Sequence, residues 1–232
     1  MSPAVRGFVE SRLLVNYRVD VETLESFLPE PFRAREVGET GVGVGTVCFT
    51  SVEEARPRVL PESVGVSFRT VTHRVHVEID DGRGVTFCVY VPRRDVSSRF
   101  CALAGSLLLP AEFEKAEFRT EEKDGARLIT VNGDDVFAGV EAYETDRDDV
   151  REGSVFYSLE SASRFLCEGG VEFTPSVGRK GGVEFHADGY EIKPVEVADV
   201  RSSYFGRMGG EFDSAFVMED IENEWVPRRP RG

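Results

Sequence analysis

Apolar and polar residues alternate along most of this chain, and Gly or Asp turns punctuate the alternation. A period of two is the mark of strands with one buried face, so antiparallel sheet is the expected dominant structure. Phe8 to Arg18 reads as a first strand. Asp20 is placed to cap a short helix in which Val21, Leu24, Phe27 and Leu28 recur at helical spacing, and Pro29 and Pro31 end it. Val42 to Phe49 reads as a strand with one bare face, because Gly41, Gly43 and Gly45 alternate with larger residues. Val64 to Ile79 predicts a long strand, which Asp80-Asp81-Gly82 turns into the strand Val85 to Val91.

Pro92 to Asp95 then leads into a predicted helix, with Phe100, Leu103, Ala104 and Leu107 on one face and Pro110 as its stop. Phe113 to Thr120, Arg127 to Val131 and Val136 to Tyr143 read as strands, the first two joined by the turn Lys123-Asp124-Gly125. Asp146 to Glu152 is a charged loop. Ser158 to Cys167 predicts a helix closed by Gly169-Gly170. Val171 to Phe173, Val183 to His186, Ile192 to Val197 and Ala215 to Val226 complete the strands. No stretch resembles a linker, so one domain over residues 1–232 is expected, of α+β class and mostly antiparallel β.

Charge changes the picture. The 232 residues hold 42 acidic and 28 basic side chains, a formal net charge of −14. Lysine occurs only at Lys115, Lys123, Lys180 and Lys193. Many carboxylates with few lysines suggest a halophilic protein, whose self-repulsion is screened in high salt. Such a surface repels phosphate backbones and disfavours nucleic acid and anionic membranes as partners. The longest apolar run, Leu103 to Leu109, is too short to span a bilayer, and Met1 to Glu10 has no leader-like apolar segment. The expected compartment is the cytoplasm. Cys48, Cys88, Cys101 and Cys167 have neither zinc-site nor disulfide-framework spacing, so reduced thiols are expected.

Several motifs carry no chemistry on inspection. The glycines of 41–45 run into the strand Thr46 to Phe49, whereas a nucleotide loop needs a helix there. His73 and His76 are three apart on a predicted strand and point to opposite faces, so no metal and no cofactor is expected. No GxSxG elbow occurs, and the Asp doublets at 80–81, 134–135 and 148–149 fall in turns.

The block Asn16-Tyr17-Arg18-Val19-Asp20, then Leu24 and Leu28-Pro29-Glu30-Pro31-Phe32, resembles the opening of acetoacetate decarboxylases. Gly43 to Phe49, Phe68-Arg69-Thr70, Asp81-Gly82-Arg83-Gly84-Val85, Ser98-Arg99-Phe100 and Leu109-Pro110 resemble a branch of that superfamily called YqjF-like. The likeness weakens after Tyr143 and returns at Phe185-His186 and Trp225 to Arg229. It implies a closed, cone-shaped barrel with a few helices. It also implies homo-oligomers, as the decarboxylases form.

The decarboxylase uses a lysine pair, one forming a Schiff base and the other tuning it. That pair follows Phe-Pro directly. Here Leu109-Pro110 precedes Ala111-Glu112, and a register set on Ala116 instead puts the pair on Phe113 and Glu114. Neither register supplies two lysines, and Thr70 to Val75 lacks the family's glutamate. The family's arginine is matched at Arg18. Lys115 is the one amine on the strand, but Glu114 and Glu117 beside it favour the ammonium form, opposite to what a Schiff base needs. The expectation is therefore a small-molecule-binding barrel without Schiff-base chemistry. Its ligand would be a carboxylate or similar anion held by Arg18, with Tyr17, Arg69 and Arg99 as further lining. The alternatives are a lyase acting on a small keto acid through Lys115, and a non-catalytic self-associating protein.

Overall fold

The computed structural model describes residues 4–80, 82, 84–168, 170–175, 182–187 and 191–228. Asp81 and Arg83 of the expected first hairpin, Gly169, Lys180 and Arg229 lie outside the described residues. In chain order the strands are β1 (Val5–Asp20), β2 (Arg33–Ala34), β3 (Val42–Pro57), β4 (Val66–Asp80), β5 (Val85–Val96), β6 (Glu114–Lys115) and β7 (Glu117–Lys123). They continue as β8 (Ala126–Asn132), β9 (Phe137–Glu144), β10 (Val171–Phe173), β11 (Gly182–Ala187), β12 (Lys193–Ser202) and β13 (Glu211–Arg228). The helices are α1 (Val21–Phe27), α2 (Arg99–Leu108), α3 (Leu159–Cys167) and α4 (Ser203–Gly206), with a 3-10 turn at Glu62–Val64.

Strands β1, β3, β4, β5, β10, β11 and β13 pair in that order, and β13 pairs back onto β1. The sheet is thereby closed into a cone-like ring. Every pairing in it is antiparallel except β10 with β5. Strands β12, β9, β8 and β7 continue from β13 as a flanking sheet. This is the α+β, mostly antiparallel architecture expected from the alternation.

Period-two alternation sorts the side chains. From β1, Leu13, Val15, Tyr17 and Val19 face outward into a core shared with the flanking sheet and α4. Val9, Leu14, Cys48, Val52 and Phe216 belong to a second core inside the ring, where Phe156, Phe165 and Leu166 of α3 and its preceding loop close one end. Helix α1 starts where Asp20 accepts from the amide of Thr23, the cap expected from sequence.

Several details differ from the sequence reading, which expected neither β2 nor α4. Pro92 to Asp95 is strand rather than a lead into helix; α2 begins only after Ser98, whose hydroxyl caps it. The glycine face of β3 is not bare: a Cβ on Gly45 would lie 2.1 Å from Phe205, and one on Gly43 would lie 2.6 Å from Leu24. Glycine lets α1 and α4 lie directly on the sheet there. The strand expected at Phe113 to Thr120 is broken between β6 and β7, with β6 pairing to β5 and β7 to β8.

Candidate functional site

Inside the ring is a cavity of about 310 Å³. Arg12 of β1, Thr50 of β3, Thr72 and Arg74 of β4, Arg94 of β5, Phe185 of β11 and Trp225 of β13 all line it. Their strands are adjacent: Arg12 lies opposite Thr50, and Thr72 opposite Arg94. Same-face positions on adjacent strands meet, which is how residues far apart in sequence reach one wall. Helix α2, through Phe100 and Leu108, covers the other end together with Val64 of the 3-10 turn and Leu60 before it.

The polar wall has an unusual balance. Glu172 of β10 takes Arg94 Nη2 on one carboxylate oxygen at 2.6 Å, and Nη2 of Arg74 on the other. Arg74 Nε donates to Thr72 Oγ1 at 3.0 Å. Arg12 and Arg74 flank the Phe185 ring, each 5.8 Å from its centroid. Arg12, Arg74 and Phe185 also border a smaller cavity of about 90 Å³, which Glu172 and Asn223 line. Three guanidiniums thus face one carboxylate. The Nε atoms of Arg12 and Arg94 are buried with no hydrogen-bond partner among the described residues.

The electrostatics follow from this geometry. Burial, the largest single influence on Glu172, pushes its carboxyl upward, but the attraction of Arg74 and Arg94 outweighs it and holds the group below its ordinary value. Burial likewise pulls Arg74 down, and Glu172 more than restores it. For Arg12 burial wins, and the cation of Arg74 adds to the effect. A guanidinium nevertheless stays charged at neutral pH. A buried cation without a matching anion is costly.

Phe113 stands where the second family register puts the first lysine. It lines the cavity, and the guanidinium carbon of Arg94 is 5.2 Å from its ring centroid. Gly105 of α2 permits this approach, since a Cβ there would lie 2.9 Å from the Phe113 ring. No described lysine lines the cavity.

The structure does not bring the expected site residues together. Arg18 is at the surface, with Nη2 2.7 Å from Glu211 and its side chain 41% exposed. Tyr17 is buried in the outer core, stacked on Phe205 at 5.3 Å, and burial raises its phenol well above the usual value. Arg69 is exposed beside a shallow groove on the outer face, and Arg99 is exposed in the first turn of α2. Lys115 is exposed, its ammonium donating to the carbonyl of Ala116. Alternation supplies the reason for Tyr17: it has the parity of Leu13 and Val15, whereas Arg12 and Leu14 face inward. Sequence reasoning missed Arg12, Arg74, Arg94 and Glu172. All four are charged residues at inward positions on their strands, which alternation alone does not distinguish from solvated ones.

The histidines also separate. His76 faces inward, near the Thr46 hydroxyl at 3.4 Å and the Phe165 ring at 5.2 Å. His73 faces outward, packed on Tyr204 at 5.0 Å. They cannot share a metal. Among the described residues no group of His, Cys, Asp and Glu is placed to hold one, and no helix is long and apolar enough to cross a membrane.

Solved structures share this architecture. Acetoacetate decarboxylase from Legionella pneumophila matches with a TM-score of 0.63 at 11% identity, over 98% of this chain and 86% of that one. An acetoacetate decarboxylase-like enzyme from Sphingomonas wittichii RW1 matches with a TM-score of 0.63 at 9% identity, over 100% and 94%. The enduracididine biosynthesis enzyme MppR, in a complex with pyruvate, matches with a TM-score of 0.56 at 13% identity, over 99% and 90%. These likenesses establish the fold as acetoacetate decarboxylase-like. No curated protein matches the chain by sequence. With the ring, its helices and its inward cavity in place, the family model that fits residues 9–219 agrees with the architecture: the chain belongs to DUF2071, the family described as an uncharacterized conserved protein.

Proposed function

We propose that this protein binds a small organic carboxylate, or a similar anion, inside its barrel, without forming a Schiff base. The anion is received by Arg12, Arg74 and Arg94, in place of the residues expected from sequence. The observation that carries the reading is three guanidiniums facing the single carboxylate of Glu172, with two Nε donors unpartnered. A planar fork of donors matches a carboxylate bidentately, and in a dry site that pairing is strong. The absence of any described lysine from the cavity supports a role without imine chemistry. That MppR has been seen with pyruvate supports a carboxylate as the ligand class.

The test is thermal stabilisation by a panel of monocarboxylates against their primary amides. Acids that stabilise where the amides do not, with the effect lost in Arg12→Met and in Arg94→Met, are the expected result. Equal stabilisation by acid and amide would overturn the reading.

Self-association is a second part of the proposal. One observation favours it: Phe100, Leu103 and Leu107 form a strip on α2 that is 65%, 66% and 73% exposed. Light scattering after size-exclusion chromatography tests this, and a monomer at all concentrations would exclude it. A cytoplasmic setting fits both parts.

A further inference from the structure

Arg12, Arg74 and Arg94 occupy one wall of the cavity, and a fourth lining arginine, Arg56, is paired with Glu62. Beyond them the lining is almost wholly apolar: Val52, Val66, Phe68, Leu109 and Trp225 surround the space that leads from the guanidiniums toward α2. At the far end Leu60, Val64 and Phe100 line the cavity and remain 46%, 51% and 65% exposed, so the apolar path continues to the surface. A ligand that used only the charged wall would leave this channel to be filled with water that has few polar partners, which is unfavourable.

The volume sets the size of what fits. A cavity of about 310 Å³, at the roughly 30 Å³ taken by one water-sized group, holds about ten non-hydrogen atoms. A carboxylate supplies three of them. The remainder is a chain or ring of about seven carbons, more than a two- to four-carbon acid possesses.

We infer that the ligand of this site is an amphipathic monocarboxylate: a medium-chain or aryl-alkyl acid whose tail runs from the arginine wall to the mouth under α2. The inference rests on the carboxylate reading above and adds the substrate class. Charge sets the direction of entry, since the anion must pass the apolar mouth and end against Arg12, Arg74 and Arg94. Tail length then sets affinity, because each methylene moved from water into an apolar wall improves binding by about fourfold.

Titration calorimetry with straight-chain acids decides it. Butyrate, hexanoate, octanoate and dodecanoate are measured against the full chain, with octan-1-ol as the uncharged control. Affinity should rise about 250-fold from butyrate to octanoate and level off beyond eight to ten carbons, where the tail leaves the mouth. Octan-1-ol should bind far more weakly than octanoate. Ala104→Trp, which adds a ring to the α2 side of the cavity, should remove most of the advantage of octanoate while leaving butyrate unchanged. Butyrate and octanoate binding equally well would overturn the amphipathic class and leave the carboxylate reading standing. Octan-1-ol binding as tightly as octanoate, or no acid binding at all, would overturn both.

Discussion

The Phe113 ring and the guanidinium of Arg94 lie against each other across the cavity wall, 5.2 Å from guanidinium carbon to ring centroid. Acetoacetate decarboxylase uses a lysine amine as its nucleophile. Here an aromatic ring faces the cavity, Gly105 keeps α2 close over that ring, and Lys115 is outside at the surface. The proposed binding role separates the cavity from that amine chemistry.

Phe113→Lys tests that separation directly. The new amine would sit in a buried site among guanidiniums, and both burial and like charge favour its neutral, nucleophilic form. Borohydride trapping with pyruvate, read by mass spectrometry, should give a reduced adduct in Phe113→Lys and none in the wild type. An adduct on Lys115 of the wild type would refute the proposal that the protein works without a Schiff base.

Glu172 is the one carboxylate among three buried guanidiniums, so its loss should be severe. Glu172→Gln is expected to lower unfolding free energy by about 3–5 kcal/mol, since it leaves buried cations unpaired. Chemical denaturation with and without added carboxylate measures this, and the acid should recover part of the loss.

Arg18 should behave oppositely. Its pair with Glu211 is exposed on both sides, and exposed pairs contribute about 0–1 kcal/mol. Arg18→Met should leave stability within that range and carboxylate binding unchanged, whereas Arg12→Met should abolish binding.

His73 and His76 make stability depend on pH. Burial depresses both to about 3, aided by Arg93 and Arg207 at His73 and by Arg74 and Arg35 at His76. An unfolded histidine titrates near 6.5, so between that value and about 3 the unfolded chain binds protons the folded chain refuses. Stability is full above about 6.5 and falls as pH drops, by about 1.4 kcal/mol per unit per histidine. Between pH 7.5 and 5.0 each should cost about 2 kcal/mol in urea unfolding. The ring nitrogens of His73 have no partner among the described residues, and it packs on Tyr204 and Phe205. His73→Phe should remove its share of that slope without loss of stability at pH 7.5.

Net charge makes a separate prediction. With a formal charge of −14, self-repulsion weakens as the Debye length falls to about 3 Å at 1 M salt. The thermal midpoint should rise between 0.05 and 1 M KCl. A flat or falling midpoint would remove the halophilic reading.

Local features were legible without a fold. Asp20 caps α1 because a cap needs only the next few residues, and alternation marks strands because it is a property of one segment. Strand length was not legible at Pro92 to Asp95: two charged arginines and a proline read as the lead into a helix, yet Arg94 and Asp95 are 8% and 0% exposed within β5. Glu172, which pairs with Arg94, is brought by β10, and Asp95 pairs with Arg93 two residues before it on the same face of β5.

The sequence by itself determined the antiparallel class, the order of most elements, the likeness to the decarboxylase fold and the lack of a lysine pair. Only the tertiary structure decided the site. Arg12, Arg74, Arg94 and Glu172 belong to four strands, and nothing local distinguishes them from arginines and glutamates that stay in water. Pairing of β13 with β1 closes the ring, and closure turns one face of each strand into an interior. That interior converts scattered polar residues into a wall with more cations than anions, because charge becomes decisive only where water is excluded.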